Sequence, residues 1–213
     1  MIQNKPFVIT ISRMLGSGGA YIGQQLSNRL NALYLDREIV NEAAKEFDIS
    51  EEELSIYDER PASFWESMFK ASKVINESMY TAPKFFILDD RLVFNVERQI
   101  IERTVKENSA VIIGRGGSHI LRDHPRHISV FLHADVDFRK SRVQNLYNLD
   151  EKDAIKRIAE SDKRRSNFYK IFTGNEFSDS TQYTLCFDTS KVGLDECTHI
   201  ILKYAKQKFG LLK

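Results

Sequence analysis

The sequence predicts an α/β fold with three layers, in which helices cover both faces of a parallel β-sheet. Short continuous apolar runs, typical of strands buried on both faces, alternate with longer stretches whose apolar residues recur at helical spacing. The five predicted strands cover residues 7–12, 32–35, 110–114, 128–133 and 184–187. Because connections between parallel strands are right-handed, their carboxyl ends meet at one edge of the sheet, where ligands bind.

Helices are predicted between these strands. The predicted helices cover residues 20–30, 37–47, 91–106, 137–146, 151–169 and 194–209, with Gly210 as a stop signal for the last one. Residues 57–84 are rich in aromatic residues and methionine, lie between Pro61 and Pro83, and lack strand signals. We interpret this segment as a helical insertion. It is either a plain insertion or a cover over the substrate.

Length, charge and cysteine content exclude several classes of protein. The chain has 213 residues, which suits one large domain over 1–213. A net charge of +1 gives no overall field to attract a nucleic acid polymer or an anionic membrane. Cys186 and Cys197 fall in predicted buried elements, so a disulfide scaffold is not expected and a reducing cytoplasm fits better. We also expect no signal peptide and no membrane span.

A glycine-rich stretch follows the first strand directly, in the sequence "ISRMLGSGGAYIG". A strand, a glycine loop and a helix in succession form the usual cradle for a phosphate, because backbone N–H groups and the helix N-terminus point at the anion. We therefore predict that this loop binds phosphate through Gly16, Ser17, Gly18, Gly19 and Ala20.

The loop lacks the Gly-Lys-Ser/Thr ending of a standard phosphate loop. Gly19 brings no positive charge, and Ala20 brings no hydroxyl for Mg²⁺. One charge-assisted hydrogen bond contributes about 1.5–3 kcal/mol, so the loss should cost roughly one to two decades of rate or affinity unless another residue replaces it. Arg13, at the end of the first strand, is the nearest replacement, although a solvent-facing arginine is the alternative.

Polar residues follow other strands at the same predicted edge. Asp36 either binds substrate or caps the next helix, and Arg115 binds phosphate or forms a structural ion pair. The triplet Asp188, Thr189 and Ser190 ends the fifth strand. The five histidines show no spacing typical of a metal site, and we predict no protein metal ligands.

A basic cluster lies in the stretch "KRIAESDKRR". Arg157 and Arg164 are seven residues apart and share a helix face, with Arg165 close to it. Such a cluster either covers phosphates as a lid or forms an ordinary solvated face.

Six stretches together resemble the cytidylate kinase-like family, relatives of the nucleoside monophosphate kinases. They are "ITISRMLGSGG", "LYLDREIV", "VIIGRGGSHIL", "ISVFLHAD", "SDKRRSNFYKIFTG" and "LCFDTSKVGL", and the match covers nearly the whole chain. The resemblance implies a P-loop α/β/α fold with a five-stranded parallel sheet. It also implies an acceptor-side insertion over 57–84 and a lid over 150–175. The implied activity is transfer of the γ-phosphate of ATP, with Mg²⁺, to CMP or a related small acceptor.

By position, the resemblance implies roles for the residues singled out above. The loop over 16–20 would bind the ATP phosphates, Asp36 and Arg115 the acceptor, and the triplet over 188–190 would lie near the donor base. Arg164 and Arg165 would be lid arginines. Together with Arg115, and with Arg13 predicted from its place on the loop, they would form the catalytic set.

The sequence departs from true cytidylate kinases at several of these positions. The double glycine marks the kinase-like branch, and Gly116 stands where true cytidylate kinases carry an acidic residue that reads cytosine. The acceptor therefore stays open. So does a second hypothesis, in which the chain binds nucleotides as a sensor or regulatory partner with impaired catalysis. A third, compatible hypothesis is a homodimer formed through residues 64–80.

Overall fold

The computed structural model describes residues 5–36 and 90–211. Within these ranges the five strands form one parallel sheet in the order β2-β3-β1-β4-β5. Their bounds are β1 Val8–Arg13, β2 Leu33–Leu35, β3 Ala110–Ile113, β4 His127–His133 and β5 Leu185–Asp188. Every predicted strand is confirmed to within one residue at each end, because each is a short apolar run with few alternatives.

The helices of the described ranges lie between these strands. Their bounds are α1 Gly19–Leu30, α2 Asp90–Glu107, α3 Gly117–Ile120, α4 Val136–Tyr147, α5 Glu151–Thr173, a 3-10 turn Ser180–Gln182, α6 Thr189–Val192 and α7 Leu194–Phe209. The short helices α3 and α6 were not predicted, since four residues carry no periodic signal. The predicted helix over 37–47 and the predicted insertion over 57–84 lie outside the described residues.

Two glycine contacts show that helices cover both faces of the sheet. Gly23 of α1 lies directly against the side chain of Ile113. On the other helix, an ideal Cβ on Gly117 of α3 would lie 3.2 Å from the side chain of Ile112. Consecutive residues of a strand point to opposite faces, so α1 and α3 lie on opposite sides of β3. The predicted three-layer α/β/α architecture is therefore confirmed.

Burial follows position in the sheet. The central strand β1 and its neighbour β3 are almost entirely buried. One face of β1 carries Ile9 and Ile11, and the other carries Val8 with the buried hydroxyls of Thr10 and Ser12. The edge strand β5 is only partly buried. None of the helices in the described ranges combines the length and the apolar composition needed to cross a membrane.

A buried histidine begins β4. The Nε2 atom of His127 lies 2.8 Å from the hydroxyl oxygen of Thr10, on the adjacent strand β1. Burial lowers the pKa of His127 from 6.5 to about 4, and the nearby charges of His124 and Lys208 act in the same direction. The imidazole is therefore neutral in the folded protein at neutral pH.

We predict that His127 makes the fold sensitive to mild acid. The unfolded chain takes up this proton near pH 6.5 and the folded protein only near pH 4. The free energy of unfolding should therefore fall by up to about 3 kcal/mol as the pH drops through that window. Urea unfolding of the wild type and of His127→Gln, which does not titrate, measures this contribution. A difference between the two proteins that stays constant across the window would contradict it.

Candidate functional site

The polar residues predicted at the strand ends do share one edge of the sheet. Arg13 ends β1, Asp36 follows β2, Arg115 comes two residues after β3, and Asp188 ends β5. The strands are parallel and in register, with Ile11 opposite Ile113 and His133 opposite Asp188. Their carboxyl ends therefore meet, as the sequence predicted.

A pocket of about 420 Å³, including its part open to solvent, lies at this edge. The loop after β1 forms most of its wall. The lining residues are Arg13, Met14, Leu15, Gly16, Gly18, Gly19, Ala20, Leu146, Tyr147 and Arg165.

Two glycines with left-handed backbone shape the loop. Gly16 has φ +84° and Gly18 has φ +82°. A Cβ on Gly16 would lie 2.8 Å from the backbone oxygen of Arg139, so the loop packs directly against α4. Gly18 is the N-cap of α1 and brings no side chain to the cap. The first N–H groups of α1 have no acceptor within their own helix, which makes them available to an anion in the pocket.

Ser17 contributes to the loop from its buried side. Its hydroxyl lies 2.9 Å from the carbonyl oxygen of Met14 and 3.2 Å from that of Leu132, and the side chain is fully buried. Its backbone N–H donates to the carbonyl oxygen of Met14 at 3.3 Å. The Ser17 hydroxyl thus holds the loop against β4 and does not face the pocket. A phosphate role for the Ser17 backbone stays a prediction.

The triplet after β5 supports the same loop. The buried hydroxyl of Thr189 lies 3.0 Å from the carbonyl oxygen of Ser17 and 3.2 Å from that of His133. Asp188 caps α6 by accepting from the hydroxyl of Ser190 and from its backbone N–H at 3.1 Å. The hydroxyl contact, above all, lowers the pKa of Asp188 below its usual value. The triplet therefore lies beside the loop, and its role near a donor base stays a prediction.

Asp162, which was not predicted as a site residue, links α5 to both the loop and α4. Asp162 accepts from the backbone N–H of Leu15 at 2.8 Å and from the guanidinium of Arg139 at 2.5 Å. Arg139 is buried. Asp162 lies inside the basic stretch "KRIAESDKRR", where nothing in the sequence distinguishes it from the neighbouring acid Glu160. The segment predicted as a lid is thus fastened to the loop through the carboxylate of Asp162.

The two predicted lid arginines have different surroundings. Arg165 lines the pocket, and its guanidinium lies 3.4 Å from the backbone oxygen of Arg13. Arg164 is exposed on α5. Arg157, the third arginine of the cluster, stacks 3.9 Å from the ring centre of Tyr147. The structure therefore brings Arg165 to the site, and a catalytic role for Arg164 stays a prediction.

Arg115 is held in a strained backbone conformation by two partners. Its φ is +57°, which non-glycine residues seldom adopt. The guanidinium forms an ion pair with the buried carboxylate of Glu97 and lies 5.2 Å from the ring centre of Phe168 on α5. The structural ion pair considered for Arg115 is therefore present, and the side chain also stands at the ligand edge.

The remaining predicted residues are Asp36 and Arg13. Asp36 is fully buried at the end of β2. The side chain of Arg13 passes over Gly19 and reaches Gly114, so it lies between the loop and the segment that carries Arg115.

The model of the family described as "Cytidylate kinase-like family" matches residues 8–191. The chain belongs to the cytidylate kinase-like family. A cytidylate kinase of Sulfurisphaera tokodaii is 24% identical over 198 residues, which cover 92% of this chain and 94% of the relative. Membership of the family supports a phosphotransferase of the nucleotide kinase kind.

Solved structures agree on the fold. A protein of Eubacterium ventriosum superposes with a TM-score of 0.71 at 24% identity, covering 94% of this chain and 98% of the other. A shikimate kinase of Bacteroides thetaiotaomicron superposes with a TM-score of 0.51 at 14% identity, again covering 94% and 98%. At these identities the likeness supports the P-loop kinase fold alone.

We predict that Gly16 cannot carry a side chain. Gly16→Ala adds a left-handed alanine and a collision with the backbone of Arg139, which should together lower the free energy of unfolding by at least about 3 kcal/mol. Gly174→Ala is the matched control, since Gly174 has φ +73° and open space around its Cβ position. That control should cost only about 1 kcal/mol. Chemical unfolding measures both, and equal losses would contradict the collision.

Proposed function

We propose that this member of the cytidylate kinase-like family transfers the γ-phosphate of ATP to a small acceptor that itself carries a phosphate, of the nucleoside monophosphate class to which CMP belongs. One observation carries the proposal. The phosphate-type loop and Arg115 lie at the ends of the adjacent strands β1 and β3, so a donor and an acceptor would meet between them.

The donor side rests on the loop and its surroundings. The first N–H groups of α1, which have no acceptor within their own helix, and the partial positive charge of that helix favour the ATP phosphates. Arg165 adds a full positive charge to the same pocket. Thr189 ties the 188–190 turn to the loop, which supports placing the donor base beside that turn.

The acceptor side rests on Asp36 and Arg115. Their strands β2 and β3 are neighbours in the sheet. Within the described part of the chain, the buried Nε atom of Arg115 has no hydrogen-bond acceptor, although Glu97 occupies another nitrogen of the same guanidinium. An acceptor phosphate would satisfy this donor. Gly116 has no side chain to read a cytosine, so the base of the acceptor stays open.

The proposed transfer needs positioning and charge more than a general base. An oxygen of the acceptor phosphate forms a bond to the γ-phosphorus of ATP. The bond from that phosphorus to the β–γ bridging oxygen breaks, and this oxygen leaves with ADP. With a dianionic acceptor phosphate no proton needs to move. The arginines of the site neutralise the charge that spreads over the transferring group.

Magnesium would enter this site with the nucleotide. The Ser17 hydroxyl donates to backbone carbonyl oxygens, and the side chain of Ala20 has no hydroxyl. The loop therefore has no hydroxyl to offer as a metal ligand. Among residues 5–36 and 90–211 no cluster of acidic, histidine or cysteine side chains could hold a metal ion. Mg²⁺ would therefore be coordinated chiefly by phosphate oxygens and water, the ligands it commonly keeps in kinases.

The same lack of a loop hydroxyl favours the second candidate function, a nucleotide-binding sensor with impaired catalysis. Calorimetry separates the two, because a sensor binds nucleotide without turnover. The homodimer and the cytoplasmic location both remain predictions.

We predict that ATP, Mg²⁺ and a panel of nucleoside monophosphates will give ADP formation that depends on the acceptor. Arg115→Lys keeps a charge beside Glu97 but loses the planar fork. It should raise the KM for the acceptor at least about tenfold while the KM for ATP changes less than about twofold. Coupled ADP release measures both constants.

The matched control is Arg126→Lys. Arg126 lies before β4, at the opposite end of the sheet, and its guanidinium donates to the carbonyl oxygen of Phe209. This variant should leave both KM values unchanged. If no acceptor in the panel stimulates ADP release although ATP binds, the kinase proposal is wrong and the sensor is favoured.

A further inference from the structure

Gly19 is not required by its own backbone. It is the first residue of α1, and it is absent from the glycines of positive φ. Glycine is a poor helix former, so almost any other residue would suit this position better on conformational grounds. The reason for glycine must therefore lie in what surrounds it.

The neighbour of Gly19 is the aliphatic part of Arg13. An ideal Cβ on Gly19 would lie 2.7 Å from Cγ and 3.1 Å from Cβ of Arg13. These are atoms near the root of the arginine side chain, which cannot move aside as its tip can. A side chain at position 19, lysine included, would displace Arg13.

Gly114 receives the other end of the same side chain. An ideal Cβ on Gly114 would overlap Nη1 of Arg13, and Cζ would lie 3.2 Å away. Gly114 directly precedes Arg115. The two glycines thus border a slot that carries the Arg13 guanidinium from the phosphate loop to the acceptor-side segment.

Among the residues that the structure describes, no ion pair includes Arg13. Arg165 lies beside it, through the backbone oxygen of Arg13, but has Asp162 within 3.8 Å. Two cations that line one pocket favour an anion between them.

We propose that Arg13 is a catalytic residue that takes the place of the missing loop lysine, and that Gly19 is a glycine because the Arg13 side chain occupies the space where its Cβ atom would lie. Gly114, whose φ of +76° by itself favours glycine, leaves room for the Arg13 guanidinium. The assignment rests on the proposed phosphotransferase function. The Arg13 guanidinium would contact the phosphate chain between donor and acceptor as the γ-phosphorus moves from the bridging oxygen of ADP to the acceptor oxygen. Arginine at 13 and lysine at 19 are then alternative solutions that exclude each other.

The test compares wild type with Arg13→Gln, Arg13→Ala, Gly19→Lys and the double variant Arg13→Ala/Gly19→Lys. Arg13→Gln should lower kcat roughly tenfold to hundredfold. Gly19→Lys should also lower it, because the new side chain displaces Arg13. The double variant should recover at least about tenfold over Arg13→Ala, since the lysine gains the space that the arginine vacated.

Binding of inorganic tripolyphosphate, measured by calorimetry, gives a readout that does not need turnover. Arg13→Gln should weaken it at least about tenfold. Arg29→Gln is the matched control, because it removes the same charge from the exposed far end of α1 and should leave both readouts unchanged. Gly19→Ala adds the smallest possible side chain at this position and should already lower activity by displacing Arg13.

Each outcome bears on one proposal or the other. If wild type turns over and Arg13→Gln has the same kcat, the role of Arg13 is wrong and the kinase proposal stands. Weaker tripolyphosphate binding by Arg13→Gln, without wild-type turnover, would support phosphate binding by Arg13 but overturn both its catalytic role and the kinase. If the double variant has no higher kcat than Arg13→Ala, the claim that lysine at 19 and arginine at 13 are alternative solutions is wrong. Wild type that neither binds tripolyphosphate nor forms ADP would overturn both.

Discussion

The site depends on hydrogen bonds that hold the loop after β1 from its outer side. The Ser17 hydroxyl contacts the backbone of β4, the Thr189 hydroxyl contacts the carbonyl oxygen of Ser17, and Asp162 accepts from the N–H of Leu15. The partners of the loop, in β4, at Thr189 and at Asp162, come from three separate segments of the chain. They fix the shape of the loop without using its inner surface, so the N–H groups on that surface stay available to a ligand.

The loop also depends on missing side-chain volume. Gly16 lies against the backbone of α4, and Gly19 lies under Arg13. The first contact closes the loop and the second leaves room for a cation to cross it. Glycine content alone shows only that a turn is present. The identity of each neighbour separates a glycine that serves the fold from one that serves the site.

The fold was predictable because its signals are local. The strands are apolar runs such as "VITISR" and "AVII", and polar residues at their ends predicted the shared edge. The supports of the loop were not predictable, since Asp162 is one acid within a basic stretch and Thr189 is one hydroxyl after a strand. Their partners lie 147 and 172 residues away in sequence. Periodicity reports which residues are buried, and it does not report such pairings.

Three consecutive residues, Gly114, Arg115 and Gly116, have positive φ. The middle one bears a strain of roughly 1–2 kcal/mol, which its ion pair with Glu97 and its contact with Phe168 offset. The consequence is preorganisation. A flexible arginine loses roughly 2 kcal/mol of rotamer entropy when a ligand immobilises it, whereas this one has lost most of that freedom on folding. An arriving phosphate would meet a receptor already in place, and the folded core would have carried the entropic cost in advance.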